Sequence, residues 1–208
     1  FKKQLLFITI GVVIITAGAL AIWGATPSGR LKINPILGHD LDLNATYYAQ
    51  AANNTIHDIT TEDISISAWV KVDVGMSAYS NVLTKRTSVA GYEFQVDQAS
   101  SKWAKFYIYD GTDSYQIYGN KDLRDNKWHH ITAIIDRDNV ANCKIFVDGY
   151  EDGTTNKSGT LANVDSLSNV VTFYAGANSA GNYIFDGQVR DVKLYYAAGD
   201  HWTDAQIR

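Results

Sequence analysis

The sequence predicts a mostly β protein: an antiparallel β-sandwich of jelly-roll type, preceded by one long N-terminal hydrophobic α-helix. Three observations carry this expectation. Residues 5–25 hold no charged side chain. From Ile64 onward, short stretches alternate apolar and polar residues, as strands with one buried face do. Asp-Gly dipeptides at 110–111, 148–149, 152–153 and 186–187 punctuate those stretches and favour tight hairpin turns. The chain divides accordingly into a helix over 1–25, a linker over 26–36 that holds both prolines, and a β-domain over 37–208.

As a helix, Leu5 to Ala25 would be about 32 Å long, close to the hydrocarbon thickness of a bilayer. Lys2 and Lys3 precede it and the next basic residue is Arg30, so the positive-inside rule puts the N-terminus in the cytoplasm and the β-domain outside. Such a segment serves as a secretory signal (Ala19-Leu20-Ala21 offers a small-x-small cleavage site), as a membrane anchor, or as a helix in the core of an extracellular filament. Gly11, Gly18 and Ala25 recur every seven positions, and Ala17, Ala21 and Ala25 every four. On a helix either row makes a smooth strip against which another helix packs. A chain that begins with Phe1 and runs into such a helix resembles type IV pilins and archaeal pilus subunits. Leu5 stands where the bacterial members usually carry an acid, and Lys2 and Lys3 are unusual among them. The resemblance implies self-association into a homopolymer through the helix, with membrane residence before assembly.

Ile64 to Asp73 alternates almost without interruption and reads as a half-buried strand. Further strands are expected at Asn81–Lys85, Tyr92–Val96, Lys105–Tyr109, Tyr115–Tyr118, His129–Ile135, Lys144–Val147, Val170–Ala175 and Val189–Tyr196. A helical period is confined to Thr203–Arg208 at the end of the chain. Many short antiparallel strands at this spacing make a sandwich or jelly roll.

Four motifs in series give this domain a family likeness. Ile66-Ser67-Ala68-Trp69-Val70-Lys71, Trp128-His129-His130-Ile131-Thr132, Lys144-Ile145-Phe146-Val147-Asp148-Gly149 and Phe185 to Tyr195 resemble the strands of LamG-like, concanavalin A-like jelly-roll domains. Trp202 to Ile207 is similar to the family's closing segment, and Leu41-Asp42-Leu43 with Tyr47-Tyr48 to its first strand. The resemblance implies binding of glycans or protein partners and a structural Ca²⁺. By that resemblance Asp191, with Asp40 or Asp42, is the candidate metal set; calcium takes several oxygen ligands from such groups.

Composition bounds the function further. The net charge is −4, and since residues 1–30 carry Lys2, Lys3, Arg30 and no acid, the remainder carries −7. That acidity argues against a nucleic-acid partner, which wants a basic stripe. The one cysteine, Cys143, excludes an intramolecular disulfide and reads as a small buried hydrophobe. Sequons at Asn44, Asn53 and Asn156 permit glycosylation.

Hydrolysis of glycans needs two carboxyl groups flanking the scissile bond. The chain has three glutamates, Glu62, Glu93 and Glu151, and no E-x-D-x-E run; Glu93 with Asp97 is the sole strand pair that mimics one. His129 and His130, adjacent on a strand, point to opposite faces and do not jointly grip an ion. No catalytic residue is assigned, and the expectation is a non-enzymatic protein. Tyr107, Tyr109, Tyr115 and Tyr118 around the Asp110-Gly111 turn are the candidate sugar platforms. Two functions follow: a subunit of an extracellular pilus-like filament with its heads exposed for adhesion, or a membrane-anchored LamG-like module that binds a glycan or a protein at the cell surface.

Overall fold

The computed structural model describes residues 11–12, 21–25, 31–35, 41–42, 48–76, 79–96, 103–153, 156–178 and 183–207. In chain order the strands are β1 (Gly11–Val12), β2 (Ala21–Ala25), β3 (Leu31–Pro35), β4 (Leu41–Asp42), β5 (Ala49–Ala51), β6 (Asp63–Val72), β7 (Ser80–Arg86) and β8 (Gly91–Val96). They continue as β9 (Ala104–Tyr109), β10 (Ser114–Tyr118), β11 (Trp128–Ile135), β12 (Lys144–Val147), β13 (Tyr150–Glu151), β14 (Lys157–Gly159), β15 (Phe173–Ala175) and β16 (Gly187–Ala197). A short helix, α1, spans Asp204–Ile207.

The strands form two antiparallel sheets. The first runs β1-β2-β3-β16-β6-β11-β12-β13, with β4 also on β16; the second runs β14-β10-β9-β8-β7-β15-β5. The first sheet ends in two-residue strands and the second in three-residue strands. Their inner faces share one hydrophobic core, in which Ile66, Ala68 and Val70 of β6 meet Phe94 of β8 and Phe106 of β9, all fully buried. Period-two patterning builds this core, because alternate residues of each strand fall on the same face.

The strands expected from Ile64 onward are present, each within a few residues of its predicted limits. Asp148-Gly149 makes the two-residue turn between β12 and β13 with φ of 55° and 80°, so both turn residues are left-handed, as a type I′ hairpin demands. The jelly-roll expectation therefore holds as an antiparallel sandwich of two sheets.

β6 differs in one respect. Ser65 and Ser67, expected on a wet face, are buried. The C-terminal segment reaches the first of them: Trp202 donates its backbone N–H to Ser65 Oγ at 2.9 Å. Beside it Ile207 packs with Ile134, Phe146 and Trp202 in a second, small core. On the inner face of β7, Lys85 is fully buried. Its amine donates to Asp58 Oδ1 at 2.8 Å, Asn169 O at 2.6 Å and Asn169 Oδ1 at 3.1 Å, tying two connecting segments to the sheet.

The N-terminal helix expected over 1–25 is corrected. Of its described residues, Gly11–Val12 and Ala21–Ala25 are strands, paired Gly11↔Trp23 and Val12↔Ile22. Among the described residues no helix is long and apolar enough to cross a membrane. The physical reason is visible in the composition. Uncharged length alone does not separate a helix from paired buried strands, and this stretch is dense in β-branched Ile, Val and Thr, with glycine at 11, 18 and 24. The packing strip through Gly11, Ala21 and Ala25 presupposes helical spacing and has no helix to lie on; Ala17 and Gly18 lie outside the described residues. With it goes the basis for a helix-cored filament. Within the expected linker, Leu31–Pro35 forms a strand that pairs with β2 and, at Leu31 and Lys32, with β16. Its Leu31-Lys32-Ile33-Asn34 alternation is a strand signal overshadowed by the flanking prolines.

Candidate functional site

The outer face of the second sheet is polar and aromatic. Period two puts Ala104, Phe106 and Ile108 of β9 into the core, fully buried, and leaves Trp103, Lys105, Tyr107 and Tyr109 on the other side. Strand pairing then sets rows across this face. One row is Asn81–Gln95–Lys105–Tyr118 and the next is Thr84–Glu93–Tyr107–Gln116. A bulge in β7 between Asn81 and Leu83 keeps Asn81 opposite Gln95 while Leu83 turns to Phe94.

These rows floor an open cleft of about 290 Å³ lined by Tyr79, Asn81, Arg86, Glu93, Gln95, Lys105, Tyr107, Asn178 and Tyr183. Arg86 organises its centre. Nη1 donates to Glu93 Oε2 at 3.0 Å, and the guanidinium lies over the Tyr107 ring at 4.7 Å and the Tyr109 ring at 5.6 Å. Such stacking holds a cation without desolvating it fully and fixes both ring planes. Burial pushes the Glu93 carboxyl above the usual carboxylate range, although the Arg86 charge and hydrogen bond, and Lys105, pull the other way. Tyr79 and Tyr183 meet edge to face at 5.6 Å on the rim. Two polar atoms are shielded yet have no hydrogen-bond partner among the described residues: Asn81 Oδ1, an acceptor, and Arg86 Nε, a donor.

The sequence-based candidates fall as follows. Tyr107 lines the cleft, and Tyr109 and Tyr118 share its face. Tyr115 is corrected: it points into the core and is 1% exposed, because it is one residue out of phase with the outer row. Glu93 and Gln95 line the cleft, while Asp97 lies outside the described residues. Among the described lining residues Glu93 is the sole carboxylate. Arg86, Asn81, Tyr79 and Tyr183 were not anticipated. The alternation Trp103-Ala104-Lys105-Phe106-Tyr107-Ile108-Tyr109 was the available signal for the aromatic face.

His129 and His130 do point to opposite sides. His129 is buried, with Nδ1 2.8 Å from Asp148 Oδ2 and Nε2 3.2 Å from Asp125 Oδ1. His130 turns out against Trp69, ring centroids 5.3 Å apart. Burial raises the Asp148 pKa, but hydrogen bonds from Lys121, His129 and the His130 N–H outweigh it and hold the carboxyl below its usual range. This cluster closes a hairpin. Of the calcium candidates, Asp42 lies in β4 opposite Gln188, Asp191 sits at a bulge in β16 with φ of 49°, and Asp40 is outside the described residues. Among the described residues no three His, Cys, Asp or Glu side chains are grouped to hold a metal. Cys143 is buried, and burial pushes its thiol up to about 11. Asn44 lies outside the described residues. Asn53 is exposed, whereas the Asn156 amide donates to Asn120 Oδ1 at 2.6 Å.

Residues 43–202 match the family model described as the concanavalin A-like lectin/glucanases superfamily, of laminin G type. No curated protein matches the sequence. Among solved structures, the ligand-binding domain of botulinum neurotoxin serotype D, in complex with N-acetylneuraminic acid, superposes with a TM-score of 0.58 at 12% identity, over 94% of this chain and 44% of that one. Domain 4 of AbnA, an extracellular arabinanase from Geobacillus stearothermophilus in complex with arabinotriose, gives 0.57 at 16% identity, over 94% and 85%. The binding domain of Paraclostridial Mosquitocidal Protein 1 gives 0.55 at 13%, over 96% and 46%. The chain thus spans less than half of the two toxin domains. At these identities the likeness shows a shared fold.

Proposed function

Because this chain belongs to the concanavalin A-like lectin/glucanase superfamily, we propose that it is a non-enzymatic carbohydrate-binding domain whose ligand occupies the cleft on the second sheet. The observation that carries this reading is the pairing, in one open cleft, of the Tyr79, Tyr107 and Tyr183 side chains with the polar side chains of Arg86, Gln95 and Lys105. A sugar hydroxyl donates and accepts at once, and a pyranose or furanose ring offers an apolar face to tyrosine. Arg86, clamped by Glu93 and stacked on Tyr107, holds its geometry before the ligand arrives, which lowers the ordering cost of binding. Two of the similar structures, a toxin domain with N-acetylneuraminic acid and an arabinanase domain with arabinotriose, were solved with sugars bound.

The cleft is ill suited to hydrolysis. Acid–base or nucleophilic cleavage of a glycosidic bond uses two carboxyl groups, and Glu93 stands as the one described carboxylate, neutralised by Arg86. We place the domain outside the cell, by analogy with the extracellular arabinanase whose domain 4 it superposes on; protease shaving of intact cells tests that placement. A glycan array followed by calorimetry tests the function. Tyr107→Ala is expected to weaken binding about tenfold or more, the equivalent of about 1.4 kcal/mol. A wild-type chain that binds no glycan on the array, or a Tyr107→Ala variant of unchanged affinity, overturns the reading.

A further inference from the structure

We infer that the ligand is an internal stretch of a linear oligosaccharide, and that Trp103 and Tyr118 form a second stacking subsite beyond the cleft. The inference rests on the carbohydrate reading above and names its ligand class. Its starting point is the register row Asn81–Gln95–Lys105–Tyr118. The first three residues line the cleft; the fourth does not. Tyr118 lies one strand further out, on β10, and its ring is parallel to Trp103 at a centroid distance of 5.6 Å and an interplanar angle of 3°. Both side chains are half-buried on the outer face, so they are not part of the core between the sheets.

Neighbouring strands are about 4.8 Å apart, so the three steps from Asn81 to Tyr118 cover about 14 Å. That span exceeds what one sugar ring covers, and it is furnished throughout. Polar amides stand at one end, Lys105 and Tyr107 in the middle, and a stacked aromatic pair, each ring keeping one outer face, at the other end. The shape of the cleft agrees with this layout. It opens broadly to solvent and lies across the strands, so a chain can pass over it without ending there. A pocket built for a terminal sugar closes around that unit and needs no aromatic pair beyond it. Tyr107 and Tyr118 belong to adjacent rows on adjacent strands, which offsets the two stacking positions along the diagonal of the face. A ligand that engages both gains from linking them, because the second contact is made at high effective concentration.

The test uses the full 208-residue chain and linear arabino-, xylo- and cello-oligosaccharides of one to six units, with sialyl-lactose as a short acidic probe, in titration calorimetry. In at least one series the affinity is expected to rise tenfold or more between one unit and four. Trp103→Ala and Tyr118→Ala are expected to abolish that rise while leaving single-unit affinity within about twofold, and Tyr107→Ala to weaken every length. Trp103→Leu, with thermal melts of all variants, guards against misfolding as the cause of a loss. Equal affinity for short and long probes, or a length dependence indifferent to Trp103, overturns the inference and leaves the carbohydrate reading standing. A short probe bound as tightly as any chain, sialyl-lactose included, does the same. Absence of binding to every probe overturns the inference, while the glycan array decides the carbohydrate reading.

Discussion

His57 stacks on the Phe173 ring at 4.8 Å in the core, beside the buried Lys85 amine, and these surroundings make it a pH-sensitive weak point. Burial first, and then the Lys85 charge, lower its pKa from 6.5 to about 4. Between those values the unfolded chain takes up a proton that the folded chain refuses. Stability is therefore unaffected above pH 6.5 and falls as the pH drops from 6.5 toward 4. At pH 5 the loss amounts to about 2 kcal/mol. Urea unfolding at pH 7 and pH 5 measures it, and His57→Gln is expected to flatten the slope; equal slopes in both proteins would sink the assignment. Lys85 is the companion case. Removing its amine strands Asp58 and the Asn169 carbonyl, so Lys85→Ala is expected to cost about 3 kcal/mol, read as a lower urea midpoint at unchanged m. A third expectation concerns modification. In a glycosylating secretory host, glycopeptide mass spectrometry should find Asn53 occupied and Asn156 bare, because the Asn156 amide is already engaged with Asn120. Neither His57 nor Lys85 was legible as a core residue from sequence, since nothing local marks a polar side chain whose partners lie 27 and 84 positions away.

At the scale of elements, strands with strict alternation were legible and strands defined by their partners were not. β9 shows both sides of this: its inner row of Ala104, Phe106 and Ile108 announces a half-buried strand, and its outer row announces the aromatic face. β13 and β14 are two and three residues long, too short for any period, and exist because β12 and β10 present free edges to them. The site was partly legible for the same reason. Tyr107 and Glu93 sit in alternating strands, whereas Tyr79 and Tyr183 reach the cleft from connecting segments more than 100 positions apart in sequence. The β16 bulge gives a prediction of its own. Asp191 has φ of 49°, which aspartate tolerates and β-branched residues do not. If its role is to turn the backbone, Asp191→Gly should leave stability within about 1 kcal/mol, while Asp191→Val should lose about 1–3 kcal/mol. Melting curves with and without EDTA separate this from metal binding: a chelator-dependent drop in the wild type, absent in Asp191→Gly, would assign Asp191 to a cation instead.

The whole molecule is a two-sheet sandwich to which the N-terminal residues add strands on one side. A helix over 1–25 would make about an eighth of the chain helical. Far-UV circular dichroism of the intact chain is expected to show a β spectrum without a helical double minimum; a clear helical component would restore the apolar helix. The fold class was readable because the alternation of the central strands and the Asp-Gly turns are local signals that agree with one another. The N-terminal assignment failed where uncharged length and rows of small residues stood in for an amphipathic period, which that stretch lacks.

The brevity of the outermost strands has a consequence for how such a domain is deployed. An edge of two or three residues offers too few unpaired N–H and C=O groups to template another chain, and Lys157 on β14 adds a charge to one of them. Copies crowded together on a surface would therefore touch without fusing their sheets. Under the proposed function, individual sugar contacts that are weak could then act in concert across many copies, each domain keeping its own fold while the array grips collectively.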